Sequence, residues 1–476
     1  MKEGYIKKED RKKILLLTDD IRVHSGVAQI GREMVINTSH RYNWVQLAGA
    51  VKHPDKGKRM DVSEDTNNKA GIKDSSVILY PTDGYGNPDL LRQIIQLEKP
   101  DAIFLITDPR YFVWIFQMEN EIRRNIPIAY LNIWDDYPAP MYNKEFYESC
   151  DALFGISKQT VNINQIVLGK KANDKIIRYV PHGLDNKNFR PMDSSNPELK
   201  EFRKYLSRGK NYDFVLLFNS RNIRRKSIPD TILAWKLFID QLPKEKADKC
   251  LLILHTEPVS DHGTDLPAVI EYFFPDNDSN IVISNDKLST ERMNLLYNSA
   301  DGVILLSSAE GWGLSLTEAL LTGTPIIANV TGGMQDQMRF VDNNGEWFTP
   351  SSEVPSNHRG TYKEHGEWAL PVFPTSRSIV GSPATPYIFD DRCEAEDAAK
   401  RIFELYSMSS EERKKRGQAG LEWATSDEAG FTSEQMSYRI IEGMDKLFKT
   451  WKPREKFEFI KDTDYEKRSL KHKLVY

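Results

Sequence analysis

The sequence predicts an α/β protein made of two Rossmann-like domains of parallel sheet that face a central cleft. Short continuous apolar runs alternate with amphipathic stretches of helix length, and the alternation breaks off and restarts at a turn-rich segment near residue 185. A chain of 476 residues also exceeds what one hydrophobic core usually holds.

In the first part the runs fall at 14–17, 45–47, 77–80, 102–106, 128–131, 152–156 and 176–180, with helix-like stretches at 26–37, 88–97 and 112–124. Such runs read as buried parallel strands covered by helices on both faces. After the turns of 181–191 the pattern resumes at 214–218, 251–254, 281–283, 303–306 and 325–328, with helices near 229–239, 290–298 and 314–321. The domains are therefore an N-terminal unit at 1–185 and a C-terminal unit at 186–430. A C-terminal helix and charged tail at 431–476 are expected to pack back on the first unit. From 341 to 392 the periodicity fails among six prolines, and an irregular insertion is expected. Open α/β sheets bind ligands at the carboxyl ends of their strands, so a cleft between two such sheets is the place to look for a site.

Composition narrows the class. The net charge of -4 does not favour a general nucleic-acid coat. Cys150, Cys250 and Cys393 are widely spaced and form no CxxC pair, which supports neither a disulfide framework nor a structural zinc site and fits a cytoplasmic location. The basic stretch Lys7, Lys8, Arg11, Lys12 and Lys13 precedes only four apolar residues, too few for a signal-peptide core. Nowhere do about 18 apolar residues run together, so no membrane span is expected.

The most informative segment is 307–320. An apolar strand ends in Ser307 and Ser308, a turn carries Glu310, Gly311, Trp312 and Gly313, and a helix opens near Leu314 and Ser315. The exposed amides of that opening form an anion site suited to a diphosphate. Gly311 and Gly313 leave room for a ligand against the backbone. Glu318, about one turn further in, could bind a ribose diol, and Glu310 could contact a transferred sugar. The plainer alternative is an ordinary helix start with Glu318 as a surface charge.

The segment resembles the Glu-x(7)-Glu signature of glycosyltransferase family 4, the retaining enzymes of GT-B fold. Other motifs follow in the same order. Pro181-His182-Gly183-Leu184-Asp185 with Phe189 and Pro191 is similar to the family's inter-domain link. The stretch 218–227 is similar to its first C-domain strand end, without the usual glycines. Asn285 to Leu288 and Tyr297 to Asp301 resemble the base-binding loop and the helix after it. Gly323-Thr324-Pro325-Ile326-Ile327-Ala328 and Thr331-Gly332-Gly333 match a further strand and glycine pair, and Ser25-Gly26-Val27-Ala28 resembles the N-terminal glycine loop. The match spans most of 14–335 and is more specific in its second half.

The resemblance implies a GT-B fold and retaining transfer of a sugar from a nucleotide diphosphate donor, with a UDP-sugar preferred and neither metal nor cofactor. It assigns Arg221 and Lys226 to the diphosphate, Gly311, Trp312, Gly313, Leu314, Ser315 and Glu318 to the donor, and Asn285 and Leu288 to the base. It places the sugar near Glu310 and near Ser25, Gly26 and Val27. The electrostatics agree, since a leaving diphosphate gains charge that something positive must meet. Arg221 and Lys226 stand five apart beyond a strand end; without the family match they could also be solvated cations, and Arg224 and Arg225 are read that way.

The family's histidine near the sugar is missing. In the corresponding stretch at 130–136 Trp134 takes its place, and Asp135 is the nearest polar candidate for supporting the sugar or deprotonating the acceptor. Equally, Asp135 and Asp136 could simply end a strand and cap a turn. His24 and His182 are further cleft candidates, although a lone histidine is more often structural. The Asp-x-Asp triplets at 276–278 and 462–464 do not follow buried strands and are read as solvated loops.

Retention without an evident enzymic nucleophile suggests same-face attack by the acceptor, helped by the leaving phosphate. The acceptor could be a glycan, a small molecule or DNA. Basic clusters at 7–13, 56–59, 123–124 and 413–416 would serve a transferase acting on modified bases, against the alternative of solvated surface charge. A nucleotide-sugar epimerase would share the same fold. A non-catalytic sugar-binding scaffold is disfavoured, because both glutamates and both cations are present. The insertion is expected to choose the acceptor or to mediate subunit contact. Its Trp347, Trp368, Phe373, Tyr387 and Phe389 could stack on a ligand or pack a core of their own.

Overall fold

The computed structural model describes residues 4–49, 54–276, 280–351 and 362–455. The first sheet contains β1 (Lys12–Asp19), β2 (Tyr42–Gly49), β3 (Met60–Asp61), β4 (Val77–Pro81), β5 (Ala102–Ile106), β6 (Ile128–Asn132), β7 (Ala152–Gly155) and β8 (Ile176–Tyr179). Their spatial order is β3-β4-β2-β1-β5-β6-β7-β8, parallel throughout except for the short edge strand β3. Ile14, Leu15, Leu16 and Leu17 of β1 are all fully buried, alternately facing the two apolar layers on either side of the sheet. Burial on both faces is why these strands read as continuous apolar runs with no alternation.

The second sheet contains β9 (Phe214–Asn219), β10 (Cys250–His255), β11 (Ile281–Ser284), β12 (Gly302–Leu305), β13 (Ile326–Asn329) and β14 (Ala369–Val372), in the parallel order β11-β10-β9-β12-β13-β14. Strand order reverses between β1 and β5 in the first sheet and between β9 and β12 in the second. At such a switch point the connections leave in opposite directions and open a crevice at the strand ends. The helices that flank the crevices are capped by their own sequence. Ser25 accepts from the Ala28 N–H, Asn87 with Pro88 starts another helix, and Thr432 and Gln435 form a capping box.

The segment from 341 to 392 is more regular than its composition suggests. Ala369–Val372 is β14, the outer strand of the second sheet, and Pro371 is tolerated because one side of an edge strand needs no ladder N–H. Next comes an antiparallel hairpin of β15 (Ser376–Ser382) and β16 (Thr385–Arg392). Trp368 packs on Trp423 with ring centroids 5.0 Å apart and Phe373 packs on Phe340, so both serve the domain's own core, whereas Trp347 lies between Trp423 at 5.4 Å and the first domain, with Tyr179 at 6.0 Å and Lys158 Nζ 3.6 Å from its ring. Tyr387 and Phe389 reach the first domain as well. The Phe389 N–H donates to Tyr137 O at 2.7 Å, and the Tyr142 hydroxyl donates to Tyr387 O at 2.8 Å.

The chain crosses between the domains twice, and the crossings pair with each other. The Leu184 N–H bonds Phe431 O at 3.0 Å and the Ser433 N–H bonds Leu184 O at 2.8 Å. The last described helix, Ser433–Thr450, then lies on helix Gly26–Thr38 of the first domain, held by Asp445 accepting from Arg41 at 2.5 Å and from the Tyr42 hydroxyl at 2.7 Å. At the crossing there is no room for a side chain, because a Cβ on Gly183 would sit 2.1 Å from Thr432 O. Gly183→Ala is therefore expected to cost about 1–3 kcal/mol, read as a lower urea midpoint; an unchanged midpoint would show that the crossing yields freely.

Candidate active site

The loops after β9 and β12 meet at the switch point of the second sheet. A 3-10 turn at Arg224–Lys226 follows β9, and its Arg225 carbonyl accepts the Ser308 N–H from the β12 loop at 2.8 Å. This tie sets two consecutive cations against Glu310. Lys226 Nζ pairs with Glu310 Oε1, to which Ser307 Oγ also donates at 2.9 Å. Arg225 Nη1 takes the other oxygen, Oε2, at 2.9 Å and donates to Ala309 O at 2.6 Å. Glu310 is only 4% exposed. Burial pushes its carboxyl up, but the charges of Arg225 and then Lys226 outweigh burial and hold it down at about 2. Arg225, read as solvated from sequence, thus belongs to the site, whereas Arg224 is exposed. The missed signal was the tight turn, which sends neighbouring side chains in different directions. Arg221 is exposed at the same loop and forms no ion pair among the described residues.

Helix Leu314–Leu321 begins directly behind Glu310, with Gly313 before it at a φ of 84°. Leu314 and Ser315 supply first-turn amides that precede the intrahelical ladder. Trp312 turns inward: its indole donates to Thr317 Oγ1 at 2.8 Å and packs on Phe431, and its carbonyl accepts from Gln337 Nε2 at 2.7 Å. Glu318 is buried, accepting from the Tyr297 hydroxyl and from Asn219 Nδ2 at 3.4 Å. Burial pushes Glu318 up to about 7 against the pull of these two donors. Asn285, exposed, and Leu288, half-buried, lie on the loop beyond the edge strand β11, two strands from β9.

The facing wall comes from the first domain. Asp19 at the end of β1 accepts from the Tyr85 hydroxyl and from Ser25 Oγ, each at 2.6 Å, which sets Ser25, Gly26 and Val27 at the mouth of helix Gly26–Thr38. Beyond β6 the neighbouring acids Asp135 and Asp136 have different surroundings. Asp135 faces Arg225 Nε across the cleft at 3.9 Å. Asp136 is wholly buried and accepts from the Tyr137 N–H at 2.7 Å, Gln159 Nε2 at 2.9 Å and Thr331 Oγ1 at 3.1 Å. The Thr331 hydroxyl also lies 3.0 Å from Asp391 Oδ2 of the hairpin, whose other oxygen takes Arg377 Nε at 2.7 Å. One buried polar knot therefore joins the β6 loop, the β13 loop and β16. Burial, with the adjacent Asp391 charge, drives the Asp136 carboxyl well above the usual range.

The walls touch at the glycines. A Cβ on Gly332, at a φ of 53°, would fall 1.9 Å from Glu310 O and 2.8 Å from Asp135 O, and one on Gly311 would fall 2.5 Å from Ile133 O. The structure thus brings Glu310, Lys226, Arg225 and Asp135 together across the domain boundary. His24 is exposed, while burial, aided by the Arg32 charge, pushes His182 down to about 3, which keeps it neutral. Among the described residues no group of three or more His, Cys, Asp or Glu could hold a metal. Asn277, Asp278 and the 462–464 triplet lie outside the described residues.

Residues 280–354 match the family model described as glycosyl transferases group 1. Solved structures align along nearly the whole chain. A sucrose-phosphate synthase from Thermosynechococcus elongatus is 15% identical at a TM-score of 0.65, covering 92% of this chain and 100% of that one. Anabaena HepE in complex with UDP and glucose is 15% identical at a TM-score of 0.62, with 92% and 100% covered. The fold is GT-B. An E. coli protein titled trehalose-6-phosphate, bound with UDP-2-fluoro glucose, is 11% identical at a TM-score of 0.61, with 93% and 100% covered. No curated protein matches the sequence. The matched segment spans β11, β12, β13 and helix Leu314–Leu321 of the second domain.

The Asp136 knot has a pH signature. A carboxyl that keeps its proton more tightly when folded loses stability for the fold as pH rises from its unfolded value, near 3.9, through its higher folded value. Asp136→Asn, which mimics the protonated form, is expected to raise the thermal midpoint at pH 8 more than at pH 4. Each tenfold change in proton affinity is worth about 1.4 kcal/mol. Equal effects at both pH values in calorimetric scans would contradict a protonated Asp136.

Proposed function

We propose that this chain transfers a sugar from a UDP-sugar to an acceptor hydroxyl, with retention of configuration and without a metal ion. The observation that carries the reading is the pairing of buried Glu310 with Lys226 and Arg225, set beside the helix mouth at Leu314 at the sheet's switch point. The donor diphosphate would lie on the amides of Leu314 and Ser315, met by Arg221 and by Lys226 once it leaves Glu310. Glu318 would accept from the ribose hydroxyls, and the loop of Asn285 and Leu288 would border the base. Two of the structural relatives are titled as complexes with UDP compounds, which favours uridine in the donor.

The transferred sugar would lie between Glu310 and Asp135, near Ser25, Gly26 and Val27. Both carboxylates already face Arg225, so neither stands ready as a free nucleophile. This supports same-face attack. The acceptor oxygen bonds the anomeric carbon as the bond to phosphate breaks, and the leaving phosphate takes the acceptor's proton. Closely apposed walls would exclude water and suppress donor hydrolysis.

Among the described residues no helix is long and apolar enough to cross a membrane. Cys150, Cys250 and Cys393 are all unpaired, in keeping with the cytoplasm as the site of action. The basic clusters offer little to DNA, because most of their cations already have acidic partners. Lys12 pairs with Asp101, Lys56 with Asp83, Arg59 with Glu98, Arg123 with Asp151 and Arg413 with Asp301. A glycan or small-molecule acceptor is therefore preferred.

A panel of nucleotide sugars, screened by thermal shift and by nucleotide release, tests the reading; stabilisation by none of them would end it. Lys226→Ala and Glu318→Ala should each lower turnover at least about 100-fold with unchanged circular dichroism, and EDTA should change nothing. Loss of activity on chelation would replace the metal-free mechanism. Because Glu318 accepts from ribose as a carboxylate and titrates at about 7, UDP affinity should weaken as pH falls through 7. Glu318→Gln should flatten that dependence in a titration series.

A further inference from the structure

Glu310 presents its two oxygens to two different cations. Oε1 holds Lys226 Nζ and the Ser307 hydroxyl, and Oε2 holds Arg225. If the reading above holds, Lys226 has to turn from Glu310 to the donor's diphosphate, because a single ammonium cannot fully serve both. Glu310 would then keep a buried charge with one counter-ion removed, a situation that ordinarily ends in protonation.

We propose that Arg225 is a positioning residue that carries the charge of Glu310 through this exchange, keeping the carboxylate aimed at the transferred sugar while Lys226 serves the diphosphate. This deepens the donor-site reading and rests on it. The geometry suits the task. Arg225 is held independently of Lys226, by its carbonyl on the Ser308 N–H and by Nη1 on Ala309 O at 2.6 Å. Its contact is with the oxygen that Lys226 does not use, so departure of Lys226 leaves Oε1 with Ser307 and Oε2 with Arg225. The same guanidinium reaches Asp135 of the opposite domain at 3.9 Å, so one fixed cation faces both carboxylates that border the sugar. The charged groups around Glu310 are Arg225 and Lys226 from the β9 loop and Asp135 from the β6 loop. Removing Arg225 would leave only Asp135, of like charge, once Lys226 has gone.

Calorimetric titration of the full chain with UDP-glucose, in two buffers of different ionisation enthalpy at pH 6, counts the protons taken up on binding. UDP-glucose has no phosphate that titrates there. Arg225→Gln should take up about 0.3–1 more proton per UDP-glucose than the natural chain. Subtracting the two titrations removes the Glu318 contribution common to both. Arg225→Lys should return the count toward that of the natural chain, and adding Glu310→Gln to Arg225→Gln should abolish the excess. Equal counts for Arg225→Gln and the natural chain would overturn the proposal. A natural chain that binds no UDP-glucose would instead refute the donor reading beneath it.

Discussion

A carboxylate buried between two cations is the interaction on which the architecture of the site depends. Glu310 has almost no solvent, and an isolated charge there would cost several kcal/mol or be neutralised. Keeping it charged requires Arg225 and Lys226, which requires the 3-10 turn after β9 to be tied to the β12 loop, and that tie exists only because β9 and β12 are adjacent at the strand-order reversal. The electrostatics of the site thus follow directly from sheet topology.

The cluster also stores a competition. In the proposed donor site the cation offered to the diphosphate, Lys226, is already paired with an internal anion, so donor binding would exchange one ionic partner for another and expose no bare charge. Donor affinity would then be a difference between two charge-assisted contacts. In the proposed exchange Arg225 keeps Glu310 from being stranded.

A second layer of organisation comes from the segment after residue 341. The hairpin of β15 and β16 starts on the second domain and hydrogen-bonds the first through Tyr137 and Tyr142, with the Asp136, Thr331 and Asp391 knot at its base. With the crossing at Gly183 and the helix Ser433–Thr450, the domains are joined on several sides of the cleft. Opening and closing would have to rearrange the hairpin contacts.

The alternation of buried runs and the restart after residue 185 made both parallel sheets legible in the sequence, because a strand covered on both faces must be apolar along its whole length. The glycine turn and helix start at 311–315 were legible for a similar reason: close backbone approach leaves a local residue requirement. Neither β14 nor the hairpin could be read this way. Pro371 resembles a breaker until its place on a sheet edge is known, and β15, exposed along its length, carries no apolar pattern. The pairing of Arg225 with Glu310, and the separation of Asp135 from Asp136, lay beyond sequence as well. Local composition determines which residues can be buried or must turn; which charges neutralise one another depends on loops 84 positions apart meeting in space, and only the tertiary structure decides that.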